Sequence, residues 1–142
     1  MVVHEESEYG NVNDLRVVYV EPEAYPREIT IPHTLKQMQQ LVGGYIEAYP
    51  LDDGLYIICN EDGKNIGLPL NRAVKDHVGR VEEIIAGPFF VCSAGYEDFE
   101  SLNDDQVKKI TERFRYPEKF FRLGDEVIAV PHKPAKEKQL DK

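Results

Sequence analysis

YIEAYPLDDGLYIICN, residues 45–60, decides how this chain folds. Two β-prone runs, YIEAYPL and LYIICN, stand on either side of Asp52-Asp53-Gly54. Aspartate followed by glycine between such runs is a strong hairpin signal, because both residue types tolerate the positive φ that a tight reversal needs. An antiparallel strand pair is therefore expected here, and the rest of the chain has to supply the layers that cover it.

Upstream, LRVVYVEP predicts a short strand over residues 16–20 that stops at Pro22. EAYPREITIPH is extended, but its prolines bar it from a regular central strand. Thr34 and Gln37 have the spacing of a capping box, and Leu35, Met38, Leu41 and Val42 share one helical face. Gly43 and Gly44 end that helix. Downstream, EEIIAGPFFVC predicts a strand over residues 83–92. Asn103 and Gln106 then form a second capping box, with Leu102 placed to staple onto Val107. Val107, Ile110 and Phe114 make that helix's apolar stripe, and Pro117 limits it. DEVIAVP adds a last short strand. This order predicts an α+β fold: an antiparallel sheet of about four strands with two helices packed on one face. The expected organisation is a loose N-terminal segment (residues 1–14), a single α+β domain (15–130) and a solvated C-terminal tail (131–142). Such a sheet leaves a face or an edge available, so a homodimer is expected.

A chain of 142 residues is one ordinary domain, able to bury roughly 68% of its unfolded surface. Its composition, 42% hydrophobic and 30% charged, is that of a globular protein. The most apolar stretch, IIAGPFFVCSAG, is too short to span a bilayer, so no membrane partner is expected. The acidic MVVHEESEYG lacks the pattern of a secretory signal. Cys59 and Cys92 both sit in apolar runs and read as buried thiols of a reducing compartment. The expectation is a soluble cytoplasmic protein.

Net charge is −9, from 17 basic and 26 acidic side chains. That field repels phosphate backbones and disfavours direct nucleic-acid binding. The acidity concentrates early: residues 1–60 carry three basic and ten acidic side chains. Such a distribution reads as a solvated surface, or as an acidic face that imitates DNA before a basic partner.

NEDGKNIGLPLNR, residues 60–72, follows the second strand and is the most informative polar run. A calcium loop fails there, because Gly63 at its sixth place puts Ile58 first and Pro69 twelfth. His4, His33, His77 and His132 are far apart, and neither cysteine has a neighbour at zinc-ligand spacing. No nucleophile motif occurs, and the glycines of GKNIGLP have the wrong interval for a phosphate loop. Glu82-Glu83 and Asp104-Asp105 are adjacent, so neither couple faces itself as an acid/base pair must. No catalytic residue, metal or cofactor is therefore assigned, and an enzyme is not the favoured reading.

Two readings of the run remain. In one it is a tight turn, with Asn60 or Asp62 bonding its own backbone and Gly63 taking positive φ. In the other it is a binding rim of Asn60, Asp62, Lys64, Asn71 and Arg72. Arg72 would meet an anion there while Asn60 or Asn71 orients it.

Over LVGGYIEAYPLDDGLYIICNEDGKNIGLPLNRAV, residues 41–74, the chain resembles the bacterial and phage family called domain of unknown function 3846. The likeness runs on through IIAGPFFVC and SLNDDQVKKITERF to YPEKFF, about residues 15–122. The features that carry it include Val42-Gly43-Gly44 with Ile46-Glu47, Asn60-Glu61-Asp62-Gly63, Gly67-Leu68-Pro69 with Asn71-Arg72, and Ile85-Ala86-Gly87. The resemblance implies a gene carried by phages, plasmids or other mobile elements, and it brings no catalytic residue, ligand or cofactor. Accessory proteins of such elements often counter host defence, and two modes fit this chain. It binds and sequesters a small anionic, nucleotide-like ligand, or it inhibits a host defence protein directly through its acidic charge. An enzyme acting on a nucleotide ranks behind both.

Overall fold

In the computed structural model, which describes residues 14–134, strand β1 (Leu15–Val20) pairs antiparallel with β2 (Arg27–Ile31). Helix α1 (Leu35–Val42) follows, then β3 (Ile46–Pro50) and β4 (Leu55–Asn60). The hairpin expected at Asp53-Gly54 forms between β3 and β4, with Asp53 at φ 60° and Gly54 at φ 72°. Strands β5 (Leu70–Lys75) and β6 (Val81–Ala86) make a separate hairpin, and β7 (Phe89–Ala94) returns to the main sheet. The single strand expected over residues 83–92 is thus broken at Gly87-Pro88 into two strands of different sheets. A two-residue β8 (Phe99–Glu100) pairs with β7 ahead of helix α2 (Asp104–Arg113). A last hairpin joins β9 (Glu118–Leu123) to β10 (Glu126–Pro131).

The main sheet runs β2-β1-β7-β4-β3, with β8 alongside β7 as its sixth strand. Strand β7 takes Phe89, Phe90 and Val91 against β1, and Phe90 to Ser93 against β4. Both ladders are antiparallel, so its backbone groups are paired on two sides.

Side chains of β1, β4 and β7 divide between two apolar clusters by the period of two of a strand. Val18, Val20, Ile57, Phe89 and Val91 point to one cluster, which α2 closes with Ile110 and Phe114. Val17, Tyr19, Ile58, Phe90 and Cys92 point to the other, which α1 closes with Met38 and Val42. Two expectations are corrected here. The sheet has six strands rather than about four, and the helices cover opposite faces instead of sharing one. The reason lies in VVYV, YIIC and FFVC, which are continuous apolar runs: a strand buried on both faces has no polar side to alternate with.

Both helices start as their caps dictate. Thr34 Oγ1 accepts from Gln37 N at 3.1 Å, but the expected box is only half formed, because Thr34 N donates to Pro32 O at 2.9 Å. Gly43 ends α1 at φ 79°. Asn103 and Gln106 exchange side-chain and backbone bonds of 2.8 and 2.9 Å, completing the second box. REITI, hemmed by Pro26 and Pro32, becomes β2 at the edge of the sheet, where proline is tolerated. The expected loose N-terminus and most of the expected tail lie outside the described residues. At the tail's start the structure differs: Pro131 is in β10, His132 N donates to Pro117 O at 2.8 Å, and Pro134 is buried.

Candidate functional site

The polar run leaves the end of β4, folds back on itself over residues 61–69 and enters β5. Asn60 Oδ1 accepts from Asp62 N at 2.8 Å, the self-bonding turn that its residue type favours. Its Nδ2 donates to Val42 O at 3.2 Å, so one buried amide also satisfies a carbonyl at the end of α1. Asp62 Oδ1 accepts from Asn65 Nδ2 at 2.7 Å. Gly63 presses against β6: a Cβ there would lie 2.8 Å from Ala86 O. Gly67 takes φ 77°, the left-handed region that glycine enters without strain. The turn reading holds in the Asn60 self-bond, but the positive φ expected at Gly63 falls at Gly67 instead, and Gly63 serves the close approach to Ala86 O.

The rim reading is corrected at two of its five residues. Asn71 and Arg72 are both 1% exposed and stand inside the protein. Asn71 Nδ2 donates to Val20 O at 3.0 Å and to Gly87 O at 2.9 Å, tying β5 to β1 and to the turn before β7. Arg72 donates through Nε to Phe114 O at 2.9 Å, through Nη1 to Asn71 Oδ1 at 2.9 Å, and through Nη2 to Ala24 O at 2.6 Å. A guanidinium carries five N–H donors in a flat fork, which suits it to gather acceptors from several segments. Burial lowers its pKa to about 10, against the opposing pull of the Glu118 and Glu23 charges. It remains a cation at neutral pH, held by carbonyl and amide oxygens. A buried Arg72 offers no anion contact at the surface.

Asp62 and Lys64 are exposed, whereas Asn60 is 8% exposed and engaged as described. The three adjoin a cleft of about 200 Å³ between the turn, β3 and β6, with Glu47, Tyr49, Cys59 and Glu83 on its other walls. Lys64 Nζ pairs with Glu83 Oε1. Partial burial works against the Glu83 charge, but the bonds from Lys64 and from Ile84 N outweigh it and hold that carboxyl below its usual range. Burial, with the Glu47 and Glu83 charges adding to it, pushes the Cys59 thiol up to about 12, which keeps it protonated and a poor nucleophile. Cys92 is likewise buried, its thiol pushed up, and it faces the opposite side of the sheet. Among the described residues no group of three His, Cys, Asp or Glu side chains has the arrangement to hold a metal ion.

Glu47, Glu61, Asp62 and Glu83 therefore stand at a cleft whose lysine is already paired with one of them. Glu47 and Glu83 carried no local signal in the sequence, since β3 and β6 meet only through the fold. A second, wider groove of about 750 Å³ runs between β6 and β10, with Lys75, Arg80, Glu82 and Glu126 among its walls. Ligand sites of small molecules typically enclose about 300–1,000 Å³, so the groove has that size and the cleft does not.

No helix among the described residues is long and apolar enough to cross a membrane. The family model described as "Domain of unknown function (DUF3846)" matches residues 15–115. No curated protein and no solved structure matches the chain.

Proposed function

The chain belongs to the family of the domain of unknown function DUF3846, and on that footing we propose that it is a non-enzymatic accessory protein of a phage or other mobile element. It engages a basic surface of a host defence protein through its carboxylates. The observation that carries this reading is the charge at the cleft, where Glu47, Glu61, Asp62 and Glu83 surround one lysine paired with Glu83. The chain as a whole carries −9. Such a field draws a cationic partner and repels an anionic one.

The test is affinity capture from host lysate on the wild-type chain and on a Glu47→Lys, Glu61→Lys variant. Both side chains are exposed, so the fold tolerates their reversal. A discrete partner that is released by salt and lost by the variant is expected. A partner that the variant keeps with undiminished affinity sinks the reading.

Sequestration of a small nucleotide-like ligand is a second reading, favoured by the groove between β6 and β10. The groove has the size of a ligand cavity, and Arg80 and Lys75 could meet a phosphate there, although Glu82, Glu83, Asp125 and Glu126 share its walls and Lys64 is paired with Glu83. Native mass spectrometry of gently purified protein separates the two: a discrete small mass, released on denaturation, speaks for the ligand.

A further inference from the structure

Four large apolar side chains stay open to solvent on one face of the β9–β10 hairpin: Phe121 (52% exposed), Leu123 (62%), Ile128 (36%) and Val130 (43%). The register pairs Phe121 with Ile128, Leu123 with Glu126 and Lys119 with Val130. By strand alternation these six side chains share the outward face, while Phe120, Val127 and Ala129 turn inward and are at least partly buried. Contiguous apolar patches of this kind on a soluble surface mark interaction sites.

We propose that this face is a self-association surface, covered in solution by the same face of a second copy. Its charges are arranged for that partner. Lys119 stands at the open end of β9 and Glu126 at the turn end of β10, so they occupy diagonally opposite corners of the patch. A two-fold axis between two stacked hairpins, running across the strands, sets Lys119 of each copy against Glu126 of the other. Phe121 then meets Phe121 and Ile128 meets Ile128 near the axis, the self-complementarity of an isologous contact. The strands of the two copies cross at a shallow angle, as packed sheets do at roughly 30°. No ion pair among the described residues uses either charge.

Electrostatics select a copy over a foreign partner. Two chains of −9 repel at most relative orientations. This face carries one positive and one negative side chain around an apolar centre, so two copies approach here without facing like charge. A contact built from six side chains of one hairpin makes a weak dimer that dissociates on dilution.

Sedimentation velocity of the full chain over a dilution series tests the proposal, on wild type, Phe121→Ser, Lys119→Glu, Glu126→Lys and the double reversal. Circular dichroism verifies that each exposed substitution leaves the fold intact. Wild type moves from 16.3 kDa toward twice that mass as concentration rises. Phe121→Ser and each single reversal weaken association about tenfold or more, and the double reversal recovers it. A chain monomeric at every concentration, a dimer indifferent to Phe121→Ser, or a double reversal that recovers nothing overturns the proposal. So does a monomer in which deleting residues 135–142 newly exposes the patch to a hydrophobic dye, because the chain's own terminus is then the cover.

Discussion

Arg72 Nε donates to the carbonyl oxygen of Phe114 across 2.9 Å, which ties the centre of the β5–β6 hairpin to the residue that closes α2. The same guanidinium holds Ala24 O on the segment after β1. Three parts of the chain, remote in sequence, thus share one cation.

Replacing that cation leaves the acceptors behind. Arg72→Ala strands the carbonyls of Phe114 and Ala24 and the Asn71 side chain in the interior, and a loss of about 3 kcal/mol or more is expected. Arg72→Lys keeps the charge but cannot gather three acceptors with one fork, so it falls between Ala and wild type. Urea denaturation of the three proteins measures this. A loss under about 1 kcal/mol for Arg72→Ala would show that the clamp carries no weight.

Gly44 and Asn60 form a second coupled pair. A Cβ on Gly44 would lie 2.8 Å from Asn60 Nδ2, and that nitrogen is bonded to Val42 O. Gly44→Ala and Asn60→Ala are each expected to destabilise by about 1–2 kcal/mol. In the double variant the clash has no counterpart, so the sum is smaller than its parts by about 0.5 kcal/mol or more. A double-mutant cycle that adds without coupling contradicts the contact.

Lys64 and Gly63 are neighbours with opposite weights. The Lys64–Glu83 pair is substantially solvent-exposed, so Lys64→Ala shifts thermal stability by under about 1 kcal/mol, less still at high salt. Gly63→Ala drives a methyl toward Ala86 O, a backbone atom that cannot step aside, and costs about 1–3 kcal/mol. Melting curves of the two variants in low and high salt establish the order, and a Lys64→Ala loss larger than that of Gly63→Ala reverses it.

The buried thiols give the protein a sign for its alkaline behaviour. Cys59 has its pKa raised from 9.0 to about 12, so at alkaline pH the folded chain keeps a proton that the unfolded chain releases. Its contribution is complete below pH 9 and is lost as pH rises toward 12. Cys92 and the phenols of Tyr19 and Tyr49 shift the same way. Stability should fall steadily above pH 9, and a Cys59→Val, Cys92→Val variant should fall less steeply in denaturation followed across that range. An equal slope in both proteins removes the thiols from the account.

Local chemistry was the legible part of this sequence. Asp53-Gly54, the Thr34 and Asn103 caps, and the Asn60 turn each announce a backbone geometry that their own residues then adopt or cap, so neighbours in sequence suffice to read them. Asn71 and Arg72 could not be read that way. Polar residues in LNRAVK look solvated until Val20, Ala24, Gly87 and Phe114 supply their acceptors from four distant places. The same limit hid the cleft, since Glu47 meets Glu83 only after β3 and β6 are in position. The double-sided burial of β1, β4 and β7 was written in their unbroken apolar runs, though nothing local said which helix would cover which face.

Strand β7 joins two halves that precede it. The β1–β2 and β3–β4 hairpins close on neighbouring residues, but Val18 and Ile57 both wait for Val91. As the chain leaves the ribosome, the inner edges of β1 and β4 stand open and apolar until Phe89-Phe90-Val91 has emerged. Two locally formed hairpins with unpaired sticky borders therefore precede the finished sheet by a long stretch of synthesis. Aggregation is therefore expected to compete with folding chiefly in the nascent chain, before the keystone strand arrives.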